Sequence, residues 1–170
     1  DSLRPEREVV RMYREALQLS ERLWQDGAHP SFLVQFSYRA AADIDEPETA
    51  LRWSERGIRI DALRTDAMNW RALSLSDLGR SKEALAAYEQ ALAVAPDDPS
   101  ILNNLAWFLL EPGDGLTADP ARAQSLAVEA LQFSEVPVPA YLDTLARAHW
   151  LLGEGDIALE HQRHAARLDP

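Results

Sequence analysis

Apolar and polar positions along this chain follow a helical period, in short runs punctuated by glycine and proline. In the run "SKEALAAYEQALAVAPDDP", residues 81–99, Ala84, Ala87 and Ala91 share the apolar stripe with one large residue, Tyr88, and Pro96 stops the helix. A core-facing stripe is ordinarily filled with Leu, Ile and Phe. Small residues in their place predict that another helix approaches closely. The same spacing recurs at Ala50, Ser54 and Gly57, at Ala123, Ala127 and Ala130, at Ala158, Gln162 and Ala165, and near the start at Ala16, Ser20 and Leu23. Ala50 precedes Ala84 by 34 residues, and Ala158 follows Ala123 by 35.

The intervening segments match as well. "MNWRALSLSDLG", "LNNLAWFLLEPG" and "LDTLARAHWLLG" align without gaps, with a small residue at Ala72, Ala106 and Ala146. Gly79, Gly113 and Gly153 end these first segments, where a left-handed helix cap is expected, and Pro96 and Pro170 close second segments. Two helices per unit, repeated at a fixed period, predict an all-α array in which each unit buries its faces only against its neighbours.

This pattern resembles the tetratricopeptide repeat, of the bacterial type, a helix–turn–helix unit of 34 residues. Residues 65–98 supply its large and small positions with Met68, Ala72, Leu75, Ala84, Tyr88, Ala91 and Pro96; residues 139–170 do so with Leu142, Ala146, His149, Ala158, Gln162, Ala165 and Pro170. The resemblance implies a right-handed superhelix of antiparallel helix pairs over one repeat domain, 1–170. Its parts are an N-terminal helix or partial repeat, 1–30, and four repeats, 31–64, 65–98, 99–138 and 139–170. Residues 31–64 depart from the pattern, with Tyr38 at the small position and Ala62 in place of proline, which predicts looser packing there. In the fourth unit "EPGDGLTADPARA" is longer than the repeat allows, and Asp119 followed by Pro120 predicts a capped restart. Residues 5–26 hold one helical phase through Val9, Met12, Tyr13, Ala16 and Leu23, predicting a single long helix.

Composition narrows the function. Of 170 residues, 46% are hydrophobic and 26% charged, enough for a core. The formal net charge of −11 disfavours nucleic acid and anionic lipid, which need a basic footprint. With no cysteine there is no disulfide, thiolate nucleophile or thiolate metal site. No apolar run approaches membrane-spanning length, so direct membrane insertion is not expected. A soluble protein is expected, cytoplasmic or periplasmic. The first residue is Asp1, which suits a piece of a longer protein.

Candidate chemistry is thin. His161 and His164 lie three apart on a helix, without further ligands at metal-site spacing, and read as a solvated face; His149 falls at a packing position. Glu111, Asp114 and Asp119 do not reproduce a calcium loop. No phosphate loop, nucleophile elbow or HExxH is found. The expectation is therefore a non-enzymatic protein without metal or cofactor.

What the resemblance implies about a site follows from the inward positions of the first helices. These are Phe32, Gln35, Arg39 and Asp43; Asp66, Asn69, Leu73 and Asp77; Ser100, Asn103, Asn104, Trp107, Leu110 and Glu111; and Asp143, Arg147 and Trp150. The lysine with which family members clamp a C-terminal carboxylate is absent. A mildly acidic groove with Trp107 and Trp150 as apolar anchors suits a neutral to basic peptide or protein partner, whereas Trp24 and Trp53 fall at packing positions. The chain stops at "HQRHAARLDP" without a polar capping helix, so Ile157 and Leu168 predict an apolar side open to more chain or to a second copy. An interaction scaffold is thus expected first, a self-assembly module or the docking part of a larger enzyme as alternatives.

Overall fold

The structure, a computed structural model, describes residues 4–168, with side chains from Glu6 onward. The described residues form nine helices and no strand, and the chain divides into two compact units, one ending at Leu78 and one beginning at Gly79. The division falls between the two helices of residues 65–98. Pro170 lies outside the described residues.

The first unit holds α1 (Arg4–Gln25), α2 (Ser31–Asp43), α3 (Pro47–Ile60) and α4 (Thr65–Asp77), each packed on the next or on its hairpin partner. Its core joins Leu17 of α1 to Leu33, Val34, Tyr38, Ala40 and Ala41 of α2 and to Ala50 and Trp53 of α3. The small positions do what their pattern predicts. Ala50 and Ser54 are buried, and at Gly57 an added Cβ would sit 2.8 Å from the Ala67 Cβ and 3.2 Å from Val34 Cγ1. α3 approaches α4 too closely there for any side chain.

Two expectations need correction in this unit. Leu23 is exposed, because the continuous α1 turns Leu17, Ser20 and Trp24 towards its neighbours, so of the Ala16–Ser20–Leu23 set only Ser20 is fully buried. Packing around Tyr38 is not loose: its ring stacks on Trp70 of α4 at 4.6 Å and 11°, filling the space that a small residue leaves elsewhere. Burial, followed by the charge of Asp77, pushes the Tyr38 hydroxyl up to about 12.

α1 and α3 are also tied by Arg56. Its guanidinium donates to both carboxylate oxygens of Glu21, at 2.7 and 2.6 Å, and lies over Trp53 at 4.3 Å and Trp24 at 4.9 Å. The two indoles meet edge to face at 5.6 Å. Trp53 is fully buried and Trp24 packs against the core, as their phase predicts.

The second unit holds α5 (Ser81–Val94), α6 (Pro99–Leu110), α7 (Pro120–Phe133), α8 (Pro139–Leu151) and α9 (Gly155–Leu168). α6 is enclosed by α5, α7 and α8 and buries Ile101, Leu102, Leu105, Ala106, Phe108, Leu109 and Leu110. Tyr88 fills the gap beside the α5 alanines and meets Phe108 at 5.6 Å. Asp98 caps α6 by accepting from the Ser100 and Ile101 amides, and Asp119 restarts the chain at α7 by accepting from the Arg122 amide. Gly153 (φ +82°) closes α8: its amide donates to the Trp150 carbonyl and the Glu154 amide to that of His149. Gly113 is left-handed too (φ +71°), but α6 has already ended at Leu110, so this glycine shapes the loop and not the cap. Among the described residues no helix is long and apolar enough to cross a membrane.

Candidate functional site

Within the second unit, α6, α8 and α9 enclose an open cleft of about 790 Å³. Helical phase explains its walls. On α8, Asp143, Arg147 and Trp150 recur at four and seven residues and face the cleft, while Leu142, Leu145 and His149 turn into the core. Trp107 comes from α6, and Gly155, Asp156, Ala158, Leu159 and Gln162 from α9. Trp107 is 49% exposed and Trp150 63%, so each keeps a large part of its surface open to solvent. The Trp150 ring rests against the start of α9, its Cζ3 3.7 Å from where a Gly155 Cβ would stand.

The polar groups of the cleft are partly engaged. Arg147 donates to Glu111 at 2.8 Å, so its charge is answered. Asp143 accepts from the neutral Gln162 amide at 3.0 Å. Among the described ion pairs neither Asp143 nor Asp156 has a cationic partner. One turn before Trp107, Asn103 is buried with its Oδ1 lacking a hydrogen-bond partner.

Sequence phase thus leads to Trp107, Asp143, Arg147 and Trp150, which the structure gathers in one cleft. Leu110 is a correction: it is only 4% exposed and belongs to the core, since α6 is enclosed on that side. Asn104 is half-buried, Ser100 lies within 3.5 Å of the Tyr141 hydroxyl, and Glu111 is spent on Arg147. The α9 wall was missed, because only first helices were expected to face inward. Gln162 is a correction too: it stands at a packing position of the repeat pattern, yet it is exposed and lines the cleft beside Leu159.

In the first unit Phe32, Gln35, Arg39 and Asp43 of α2 are exposed, and Phe36, one turn after Phe32, adds an apolar side chain that the sequence reading did not single out. On α4, Asp66 and Leu73 are half-buried and Asn69 is buried. Asp66 takes two hydrogen bonds from Arg64, at 2.7 and 3.0 Å, which hold the guanidinium above its usual range. Asp77 is exposed at its rim, but partial withdrawal from water, followed by the charge of Asp45, raises its carboxyl above the usual value.

His149 is a buried packing residue, hydrogen-bonded through Nδ1 to Glu154, with the Gln124 amide beside its ring. His161 does not lie on a solvated face as expected. Its ring stacks on His149 at 5.1 Å, and burial, then the neighbouring His149, lowers its pKa below the usual value. Among the described residues no group of three His, Cys, Asp or Glu is placed to hold a metal ion.

The model of the tetratricopeptide repeat family matches residues 9–170. No curated protein matches the sequence. Among solved structures, TTC0263, a thermophilic tetratricopeptide repeat protein of Thermus thermophilus, superposes with a TM-score of 0.74 at 18% identity, covering 100% of this chain and 92% of that one. A crystal structure of MamA gives 0.71 at 12% identity, covering 98% and 92%. MamA of Desulfovibrio magneticus RS-1, from residue 41 to its end, gives 0.63 at 15%, covering 95% of each chain.

Proposed function

The chain belongs to the tetratricopeptide repeat family, an all-α solenoid fold that serves protein–protein interaction, and we propose on that footing that it acts without catalysis, as a scaffold holding a neutral to basic segment of a partner protein in the cleft of its second unit. The observation that carries this reading is the pair of exposed indoles, Trp107 and Trp150, on the walls of one open cleft. Aromatic side chains bury a large area for little lost rotamer freedom, which makes them natural anchors. The exposed α2 face of the first unit, with Phe32, Gln35, Arg39 and Asp43, is a second contact surface under the same reading.

The test is a peptide array probed with the labelled protein and with a Trp107→Ala/Trp150→Ala variant. Peptides that retain the parent and lose the variant support the reading. Retention unchanged in the variant removes the cleft from it.

A second reading is favoured by Ile157 and Leu168, which stay 43% and 39% exposed on α9. Self-association through that face would appear in light scattering as a mass rising with concentration and falling in Ile157→Glu. A concentration-independent mass near 19.0 kDa rejects it.

A further inference from the structure

The cleft of the second unit and the α1–α3 junction of the first share a chemistry. At the junction two indoles and a carboxylate surround a guanidinium: Arg56 lies over Trp24 and Trp53 and donates to both oxygens of Glu21. The cleft carries two indoles, Trp107 and Trp150, and two carboxylates, Asp143 and Asp156, but its one guanidinium, Arg147, is held at Glu111. A negative surplus remains, since Asp143 is hydrogen-bonded to the neutral Gln162 amide and neither it nor Asp156 has a cationic partner among the described ion pairs. An anionic segment is repelled from such a site, and a neutral one brings no cation to it.

Resting on the reading of this cleft as a peptide site, we propose that its occupant is anchored by an arginine side chain, with the guanidinium against the Trp150 indole and its N–H groups directed to Asp156. Asp156 follows Gly155 at the start of α9, where that ring rests, while Trp107 and Asp143 extend the same apolar and negative surface along the cleft. Arginine fits better than lysine for two reasons. Its planar, weakly hydrated cation stacks on indole faces, and its fork of donors matches a carboxylate with two hydrogen bonds. Leu159 and Ala146 on the same walls suit apolar residues flanking that arginine.

The experiment titrates the isotope-labelled full chain with three blocked tripeptides, Leu-Arg-Leu, Leu-Ser-Leu and Leu-Glu-Leu, following the indole N–H signals assigned by substituting each tryptophan. The arginine peptide is expected to move the Trp107 and Trp150 signals and to bind at least about fivefold tighter than the serine peptide, with the glutamate peptide weakest. That preference is expected to shrink in Asp143→Asn/Asp156→Asn, whose fold is checked by circular dichroism, and on raising salt to about 0.5 M. Equal movement of both signals by all three peptides overturns the arginine anchor and leaves the cleft as a peptide site. Stillness of both signals with every peptide overturns the anchor and the cleft reading together. A preference for arginine that survives in the double asparagine variant overturns the assignment of the two carboxylates.

Discussion

Arg56→Ala tests how the first unit holds α1. The guanidinium makes two charged hydrogen bonds to Glu21 and lies against two indoles, and its side chain is only 11% exposed. Charged hydrogen bonds contribute about 1.5–3 kcal/mol when well placed. Each cation–π contact adds about 0.5–2 kcal/mol according to its desolvation. Glu21 is 38% exposed, so after truncation it rehydrates instead of being stranded, which puts the ionic part near its lower bound. The expected loss is about 2–4 kcal/mol in urea unfolding followed by circular dichroism.

Arg56→Lys, which keeps the charge but not the fork, should recover less than half of it. The pH dependence carries a sign. The hydrogen bond from Arg56 lowers the Glu21 pKa, so the stabilisation is complete above the ordinary glutamate value of 4.5 and is lost as pH falls through the folded value. The gap between parent and Arg56→Ala must therefore narrow in acid. A loss below about 1 kcal/mol, or a gap that widens in acid, would refute the sandwich as a determinant of stability.

Three other outcomes are expected. Gly57→Ala should destabilise by about 1–2 kcal/mol despite better helix propensity, because the new methyl meets the backbone-borne Ala67 Cβ at 2.8 Å; thermal unfolding reads it. Asp45 closes α2 at φ +57°, so Asp45→Gly should stabilise by about 0.5–1 kcal/mol in the same assay, and should let the Asp77 carboxyl titrate at lower pH by NMR. Tyr38 ionises more readily in the unfolded chain, near 10, than in the folded one, at about 12. Its contribution is therefore complete below pH 10 and lost as pH rises to about 12; unfolding curves over that range should flatten in Tyr38→Phe relative to the parent.

Sequence alone determined what is local. The 34-residue recurrence, the small stripes at Ala84–Ala91 and Ala123–Ala130, the left-handed turns at Gly79 and Gly153 and the Asp119 cap all rest on side-chain phase and backbone sterics within a few residues. Four of the cleft residues, Trp107, Asp143, Arg147 and Trp150, were legible for the same reason: phase says which way a side chain leaves its own helix. Phase does not say how many neighbours surround that helix. Leu110 sits on the expected side of α6 and is nonetheless buried, and Leu159 belongs to a helix not expected to face the cleft. The aspartate at Asp45 gave no glycine signal for its left-handed turn. The Tyr38–Trp70 stack and the Glu21–Arg56–Trp53 cluster join residues 32 and 35 positions apart in sequence. Such contacts depend on the angle and distance at which helices cross, which only the folded packing decides.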